Sequence, residues 1–205
     1  MSRVRKRALL IALTAVLLAA GGLAAWKLWE PSSDSPVTVT PGSDYALIPV
    51  EYFQQNDSLW ANETLGDSGY RMGGSGCLVC CLASALDAQG YDTDPSRLNA
   101  LFTGQGVYNS EGEVLWDKLE KAVPNSHVTL PSRVDAEALE ETVSQGLLPL
   151  VKVKFKGIGY HHWVLLVGAS NGDYLCMDPL SGKQEPLPLS ANGGQIYRYR
   201  IVTIE

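Results

Sequence analysis

The chain has 205 residues, 45% of them hydrophobic, with 16 basic against 22 acidic side chains and a formal net charge of −6. Residues 1–30 hold five of the basic groups and one of the acidic, so the remainder, with 11 and 21, carries −10. That balance argues against nucleic acid as a partner and against adsorption to anionic lipid heads, and the length suits one domain with a core of ordinary size.

The N-terminal segment decides the compartment. Arg3, Arg5, Lys6 and Arg7 form a basic cluster, and Ala8 to Trp26 is an uncharged run of 19 residues. At about 1.5 Å per residue that run spans roughly 28 Å, close to the hydrocarbon thickness of a bilayer. The basic flank stays cytoplasmic and the rest of the chain lies outside. Trp26 and Trp29 around Lys27 resemble an interfacial anchor, so residues 1–30 read as an uncleaved signal anchor. A cleavable signal peptide is the alternative, since Ala24 and Ala25 suit a cleavage site. With no cysteine near the segment's end, lipoprotein attachment is not expected. The localisation that follows is a single-pass bacterial cell-membrane protein with its C-terminal domain extracellular, or else a secreted one. Residues 31–44, rich in Pro, Ser and Thr, read as a flexible, extended linker, leaving 45–205 as the folded domain. There is no internal repeat.

Helices come first in that domain. Cys77–Gln89 is apolar on nearly all sides and should be buried. Pro95–Phe102 is capped by Asp94 with proline in its first turn. Glu113–Ala122 places Val114, Leu115, Leu119 and Ala122 on one face before Pro124 stops it. Asp135–Ser144 is acidic at its start, and Gly146 suits its end. Strands follow at Leu148–Phe155, Trp163–Ala169, Tyr174–Met177 and Ile196–Thr203, joined by the turn sequences Lys156-Gly-Ile-Gly, Ser170-Asn-Gly-Asp and Pro179-Leu-Ser-Gly. The order of elements predicts an α+β fold, with a buried N-terminal helix packed on a C-terminal antiparallel sheet.

Two distant segments carry the chemistry. Gly74-Ser-Gly-Cys77 opens the buried helix, and His161-His162-Trp163-Val164 opens a strand. A thiol in the first helical turn faces unpaired backbone N–H groups and the positive end of the helix dipole, both of which favour thiolate. Simpler readings stand beside this one. Cys80, Cys81 and Cys176 suit small buried positions. A Cys81–Cys176 disulfide is conceivable in an exported protein, although three of the four cysteines cluster and two are adjacent. Cys77-x-x-Cys80 lacks a second ligand pair for zinc. Gln55 and Asp57 also suit a turn, and Asp178-Pro179 is a common way to leave a strand. His127 reads as a solvated loop residue. Trp60, Tyr160 and Trp163 serve either the core or a substrate groove.

Taken in order, four segments resemble the papain-like cysteine peptidases, in the branch similar to bacteriocin-leader-processing (double-glycine, C39-like) peptidases. These are Gln55-Asn-Asp-Ser-Leu-Trp60; Gly76-Cys77 with Leu82-Ala83 and Leu86-Asp-Ala-Gln-Gly90; Leu148-Pro149-Leu150-Val151 with His162-Trp163-Val164; and Asp173-Tyr174 with Asp178-Pro179. They extend over roughly residues 48–203. The family often has Gly-Pro-Thr after its cysteine, whereas Leu78-Val79-Cys80 stands here, so the local shape of the cleft departs from the family.

The resemblance implies Cys77 as nucleophile, His162 as base and later acid, Asp178 as its orienting acceptor and Gln55 as a donor to the oxyanion. His162 is favoured over His161 because it directly precedes the Trp-Val strand; His161 would point to the opposite face. The implied activity is a membrane-anchored, outward-facing cysteine peptidase or amidase, monomeric, acting on a peptide or peptide-like substrate and needing neither cofactor nor metal. A papain-fold domain that only binds extracellular peptide or cell-wall material is the first alternative, and a papain-fold acyl transferase the second. Leader processing itself fits poorly, because this sequence has one apolar segment and no nucleotide-binding motif. The acidic domain weakly favours basic or neutral substrates.

Overall fold

The apolar stretch after Gly76 forms helix α1 (Cys77–Asp87), in which every residue from Val79 to Leu86 is buried. A single helical turn, Met72–Ser75, precedes it, and Gly76 is the joint. A Cβ at position 76 would lie 2.6 Å from the Met72 carbonyl oxygen, so only glycine lets the two helical pieces abut. The one polar side chain in the buried run, Ser84, donates to the Glu51 carbonyl at 2.6 Å, which removes the penalty of burying a hydroxyl.

The computed structural model describes residues 35–205, of which 36–205 form one unit. The anchor assigned to residues 1–30 lies outside the described residues, among which no helix is long and apolar enough to cross a membrane.

Helix α2 (Pro95–Gly104) starts where Asp94 accepts from the Arg97 N–H at 2.8 Å. Helix α3 (Trp116–Ala122) begins three residues later than its apolar pattern suggests. The reason is local: Val114 bridges Tyr108, and the Leu115 N–H donates to the Val107 carbonyl at 2.8 Å, which keeps that stretch extended. Helix α4 (Ala136–Ser144) is capped by the Asp135 carboxylate, which accepts from the N–H groups of Glu137 and Ala138.

The strands are β1 (Val37–Thr38), β2 (Ser126–Thr129), β3 (Leu150–Lys154), β4 (His161–Ser170), β5 (Asp173–Met177), β6 (Leu187–Pro188), β7 (Gln195–Ile196) and β8 (Arg198–Ile204). Six of them form an antiparallel sheet in the order β2-β8-β3-β4-β5-β6. Leu150, Leu165, Val167 and Val202 pack with α1 in one core, which also takes in Leu98 and Phe102 of α2 and Leu119 of α3. Val151, Val153, Val164 and Leu166 pack in a second core with Leu139 and Val143 of α4. The alternation of residues along β3 and β4 therefore serves two apolar layers, which is why Trp163–Ala169 of β4 reads as a continuous apolar run.

Two sequence expectations need correction. His127 lies in strand β2 at the sheet edge rather than in a loop, with Nδ1 2.9 Å from the Glu120 carboxylate. The second half of the 31–44 linker belongs to the folded unit. Strand β1 pairs with β7, Val39 is buried, and the Gly42 N–H donates to Glu140 at 2.7 Å. A Pro- and Thr-rich stretch is already extended, so adding it to a strand edge costs little order.

Candidate active site

Cys77 is the first residue of α1, and its side chain is only half buried. The Gly76 backbone offers no side-chain cap, so the first N–H groups of the helix are left to face whatever lies beside the thiol.

His162 is the second residue of β4 and fully buried. Its Nε2 lies 2.7 Å from Asp178 Oδ1, with both side chains buried. Nδ1 is buried without a hydrogen-bond partner, and the Cys77 thiol lies close enough to act on the ring. Burial works against a charged imidazole, but Asp178 and Cys77 outweigh it and push its pKa up to about 9. For Asp178, burial favours the neutral acid. The His162 ring, Asn192 and the Leu180 N–H prevail and hold the carboxyl below its ordinary range. The two groups therefore face each other as imidazolium and carboxylate, with Nδ1 turned to the thiol.

The adjacent histidine has a different environment. His161 is exposed and packs edge-on against Tyr197, ring centres 4.8 Å apart. The alternation of a strand accounts for this, since neighbours on β4 project to opposite faces.

Asp178 is held by more than its histidine. Its Oδ1 also accepts from the Leu180 N–H at 2.8 Å, and Oδ2 accepts from Asn192 Nδ2 at 2.9 Å. Asn192 ends a short 3₁₀ turn, Leu189–Asn192, and its Oδ1 in turn accepts from the Lys156 N–H at 2.9 Å. Lys156 adopts a left-handed conformation at φ 52°, which aims that N–H at Asn192. Gly157 and Gly193 permit the contact: a Cβ on Gly193 would stand 2.8 Å from the Gly157 Cα. Thus the loop before β4 and the 3₁₀ turn are both tied to the carboxylate.

Gln55 is buried and lies between the two halves of the site. Its backbone N–H donates to the Pro179 carbonyl at 3.0 Å, and its side-chain Nε2 donates to the Gly73 carbonyl at 3.0 Å. A carbonyl can only accept, so the amide is oriented with nitrogen toward Gly73. One Nε2 hydrogen is engaged there and a second remains, while Oε1 is buried without a partner. Gln54 braces the same region from the turn side. Its amide oxygen accepts from the Gly182 N–H at 2.8 Å, and its Nε2 donates to the Lys183 carbonyl at 3.1 Å. Trp60 is buried, with Nε1 donating to the Gln54 carbonyl at 2.8 Å, and serves the core rather than a groove.

The structure thus brings Cys77, His162, Asp178 and Gln55 to one place. The structure adds Asn192 and Gln54 to these four. Asn192 stands in Asn192-Gly-Gly, which reads as a turn, and Gln54 is distinguished only by adjoining Gln55.

The other cysteines are free and buried, with no disulfide between Cys81 and Cys176. Burial pushes all three thiols, Cys80, Cys81 and Cys176, well above the ordinary range. No group of three His, Cys, Asp or Glu side chains able to hold a metal ion occurs among the described residues.

A cleft of about 550 Å³ opens beside Cys77. Its walls include Leu78, Trp116 and Trp163, whose indoles sit 6.4 Å apart between centres. From the other side, Phe155 stands edge-on to His162 at 5.7 Å and stacks on the exposed Tyr160 at 5.6 Å.

The sequence matches no known protein-family profile and no curated protein. Among solved structures, the chain is similar to a protein from Bacillus anthracis described as a candidate C39-like peptidase. The TM-score is 0.54 at 16% identity, covering 80% of this chain and 98% of that one. The chain carries the papain-like α+β fold of C39-like peptidases, with the helical part and the antiparallel sheet arranged as its sequence predicts.

Proposed function

We propose that this protein is a cysteine peptidase or amidase that cleaves through a thioester on Cys77. The observation that carries the reading is the state of His162. One ring nitrogen is locked on a buried carboxylate and the other is buried, unpaired and beside a half-exposed thiol. A histidine used only to fill the core would have both nitrogens satisfied.

In the resting pair the thiol proton already sits on His162 Nδ1, and the Cys77 thiolate attacks the substrate carbonyl carbon. The resulting oxyanion takes hydrogen bonds from the Cys77 backbone N–H and the second N–H of Gln55 Nε2. As the C–N bond breaks, the imidazolium gives its proton to the leaving amine, and a thioester remains. Water then loses a proton to His162 and attacks the thioester. The C–S bond breaks, the carboxylic product departs, and the Cys77 thiolate is left facing protonated His162 as at the start. Asp178 stays ionised throughout and fixes the ring.

The basic cluster and the 19-residue apolar run at the N-terminus support an outward-facing domain on a single membrane anchor. A membrane-impermeant maleimide applied to intact cells tests this, since labelling of Cys77 only after lysis would place the domain inside.

The chemistry is tested by site-resolved alkylation of the full chain with iodoacetamide across pH 5–9, alongside His162→Ala. Fast labelling of Cys77 below pH 7 that is lost in the variant supports the thiolate–imidazolium pair. An ordinary thiol profile unchanged by the variant removes the enzyme reading and leaves a binding domain. Peptide-bearing cell-wall fragments and extracellular peptides are the substrates to screen.

A further inference from the structure

The cleft beside Cys77 has a wall that the proposed reaction does not use. Lys152 on β3 lies directly opposite Trp163 on β4 on one side and Arg198 on β8 on the other. Arg200 follows two residues along β8, on the same face as Arg198. All three basic side chains line the cleft together with Cys77, Trp116 and Trp163.

This arrangement sets like charges side by side. Lys152 and Arg198 are like charges at facing positions of an antiparallel pair, which repel. The Lys152 ammonium has no hydrogen bond or carboxylate partner among the described residues. Arg200 is braced through Nη1 on the Tyr199 carbonyl at 2.7 Å and lies over Trp116 at 5.9 Å, yet its Nε is buried without a partner. Burial and the charge of Arg198 both act against its protonated form. Glu111 and Glu113 also line the cleft, but neither comes within ion-pair distance of Lys152 or Arg200. Glu113 is already engaged by Asn109 at 2.9 Å. In a cleft that opens on a nucleophile, the Lys152 ammonium and the Arg200 Nε are left without an anion.

Resting on the peptidase reading, we propose that Lys152, Arg198 and Arg200 bind a carboxylate of the substrate close to the scissile bond. Strands lie about 4.8 Å apart, so the row runs from about 5 Å (Lys152) to about 10 Å (Arg198 and Arg200) from the strand that carries His162. Extended peptide covers about 3.3–3.6 Å per residue, which places the carboxylate within about three residues of the bond cut. The substrate class is therefore an acidic peptide or a peptide with a free C-terminal carboxylate. The acidic balance of the whole domain suggests the opposite preference. The local wall prevails because charges beyond about 8–10 Å are screened at physiological salt.

The test needs no known substrate. Iodoacetate and iodoacetamide both alkylate Cys77 by displacing iodide, and they differ by one carboxylate. Their rate ratio on the full chain is measured at pH 9, where any accessible thiol reacts, for the native protein, Lys152→Gln, Arg198→Gln and the control Lys121→Gln on helix α3. The expected result is a drop in the iodoacetate preference of roughly two- to fivefold for each wall residue removed. The control leaves the ratio in place, and 0.5 M salt collapses it. An unchanged ratio in both wall variants overturns the proposal, as does slower iodoacetate labelling throughout, which would mean that Glu111 and Glu113 dominate.

Quenched peptide pools then identify the source of the carboxylate. One pair of pools differs by internal Glu against Gln, the other by a C-terminal acid against amide. A preference lost in Lys152→Gln names the source, and cleavage without preference in either pair overturns the proposal. If neither pool is cut while the alkylation ratio still responds, the peptidase reading fails and the anion site stands.

Discussion

Asn192 donates its side-chain N–H to Asp178 Oδ2 at 2.9 Å, with both residues buried, and so completes a relay from a surface loop to the ring of His162. Because the Asn192 oxygen also takes the Lys156 N–H, its amide is oriented and cannot turn away from the carboxylate.

Replacing Asn192 by alanine leaves a buried carboxylate oxygen and the Lys156 N–H without partners, at a cost of about 1–3 kcal/mol. Turnover should fall about 10- to 100-fold through loss of ring position. Asn192 is a positioning residue, so the discriminating readout is the pH profile. Removing a bond that holds the Asp178 carboxyl low moves the acidic limb to higher pH. A mere loss of stability would lower the amount of folded protein without moving that limb.

The raised pKa of His162 sets a pH window for stability. With an ordinary value of about 6.5 in the unfolded chain and about 9 when folded, the protonated ring stabilises the fold fully below pH 6.5. That contribution is lost as pH rises through 9. Urea unfolding at pH 6, 7.5 and 9 should show the native protein losing stability relative to His162→Gln across this range. For Asp178 the sign is reversed: its lowered pKa contributes stability above the ordinary carboxylate range that is lost as pH falls through the folded value.

Gln55→Ala should reduce kcat by about 100- to 1000-fold if its second amide N–H meets the oxyanion. KM should change little, because that bond strengthens only in the transition state. A loss confined to KM would assign Gln55 to substrate binding through its unpaired Oε1.

Among the four cysteines, native-state alkylation should modify Cys77 alone. Cys80, Cys81 and Cys176 are buried with raised pKa values, and they should react only on unfolding. Mass spectrometry before and after denaturant checks both halves of the statement.

Gly76→Ala should destabilise the fold beyond the usual cost of a surface change, since its Cβ would meet the Met72 carbonyl at 2.6 Å. The backbone must shift at the joint that sets the height of Cys77. Slower labelling of Cys77 should therefore accompany the lower melting temperature.

Much of this site is legible in the chain because short-range rules control it. Glycine before an apolar run starts α1 with Cys77 in its first turn. Asp94 and Asp135 cap α2 and α4 as their spacing predicts. The Ser170-Asn-Gly-Asp turn, with Asn171 and Gly172 at positive φ, folds β4 back on β5 and carries Asp178 to His162 across sixteen residues. Strand β2 leaves no clear sequence signal because four alternating residues at a sheet edge look like loop, and α3 starts late because a tertiary bridge holds Val114 extended.

By itself, then, the sequence determined the main helices and long strands, the α+β class and the residues capable of nucleophilic chemistry, since helix caps, turns and apolar periodicity act within a few residues. Tertiary structure alone decided that Asn192 stands behind Asp178, that the Lys156 N–H reaches Asn192, and that Lys152, Arg198 and Arg200 share the wall of one cleft. Those three facts depend on strand register and on loops meeting across 14 to 36 positions or more. A one-residue slip in register would send each of these strand side chains to the other face, and no local pattern records which register the packed cores select.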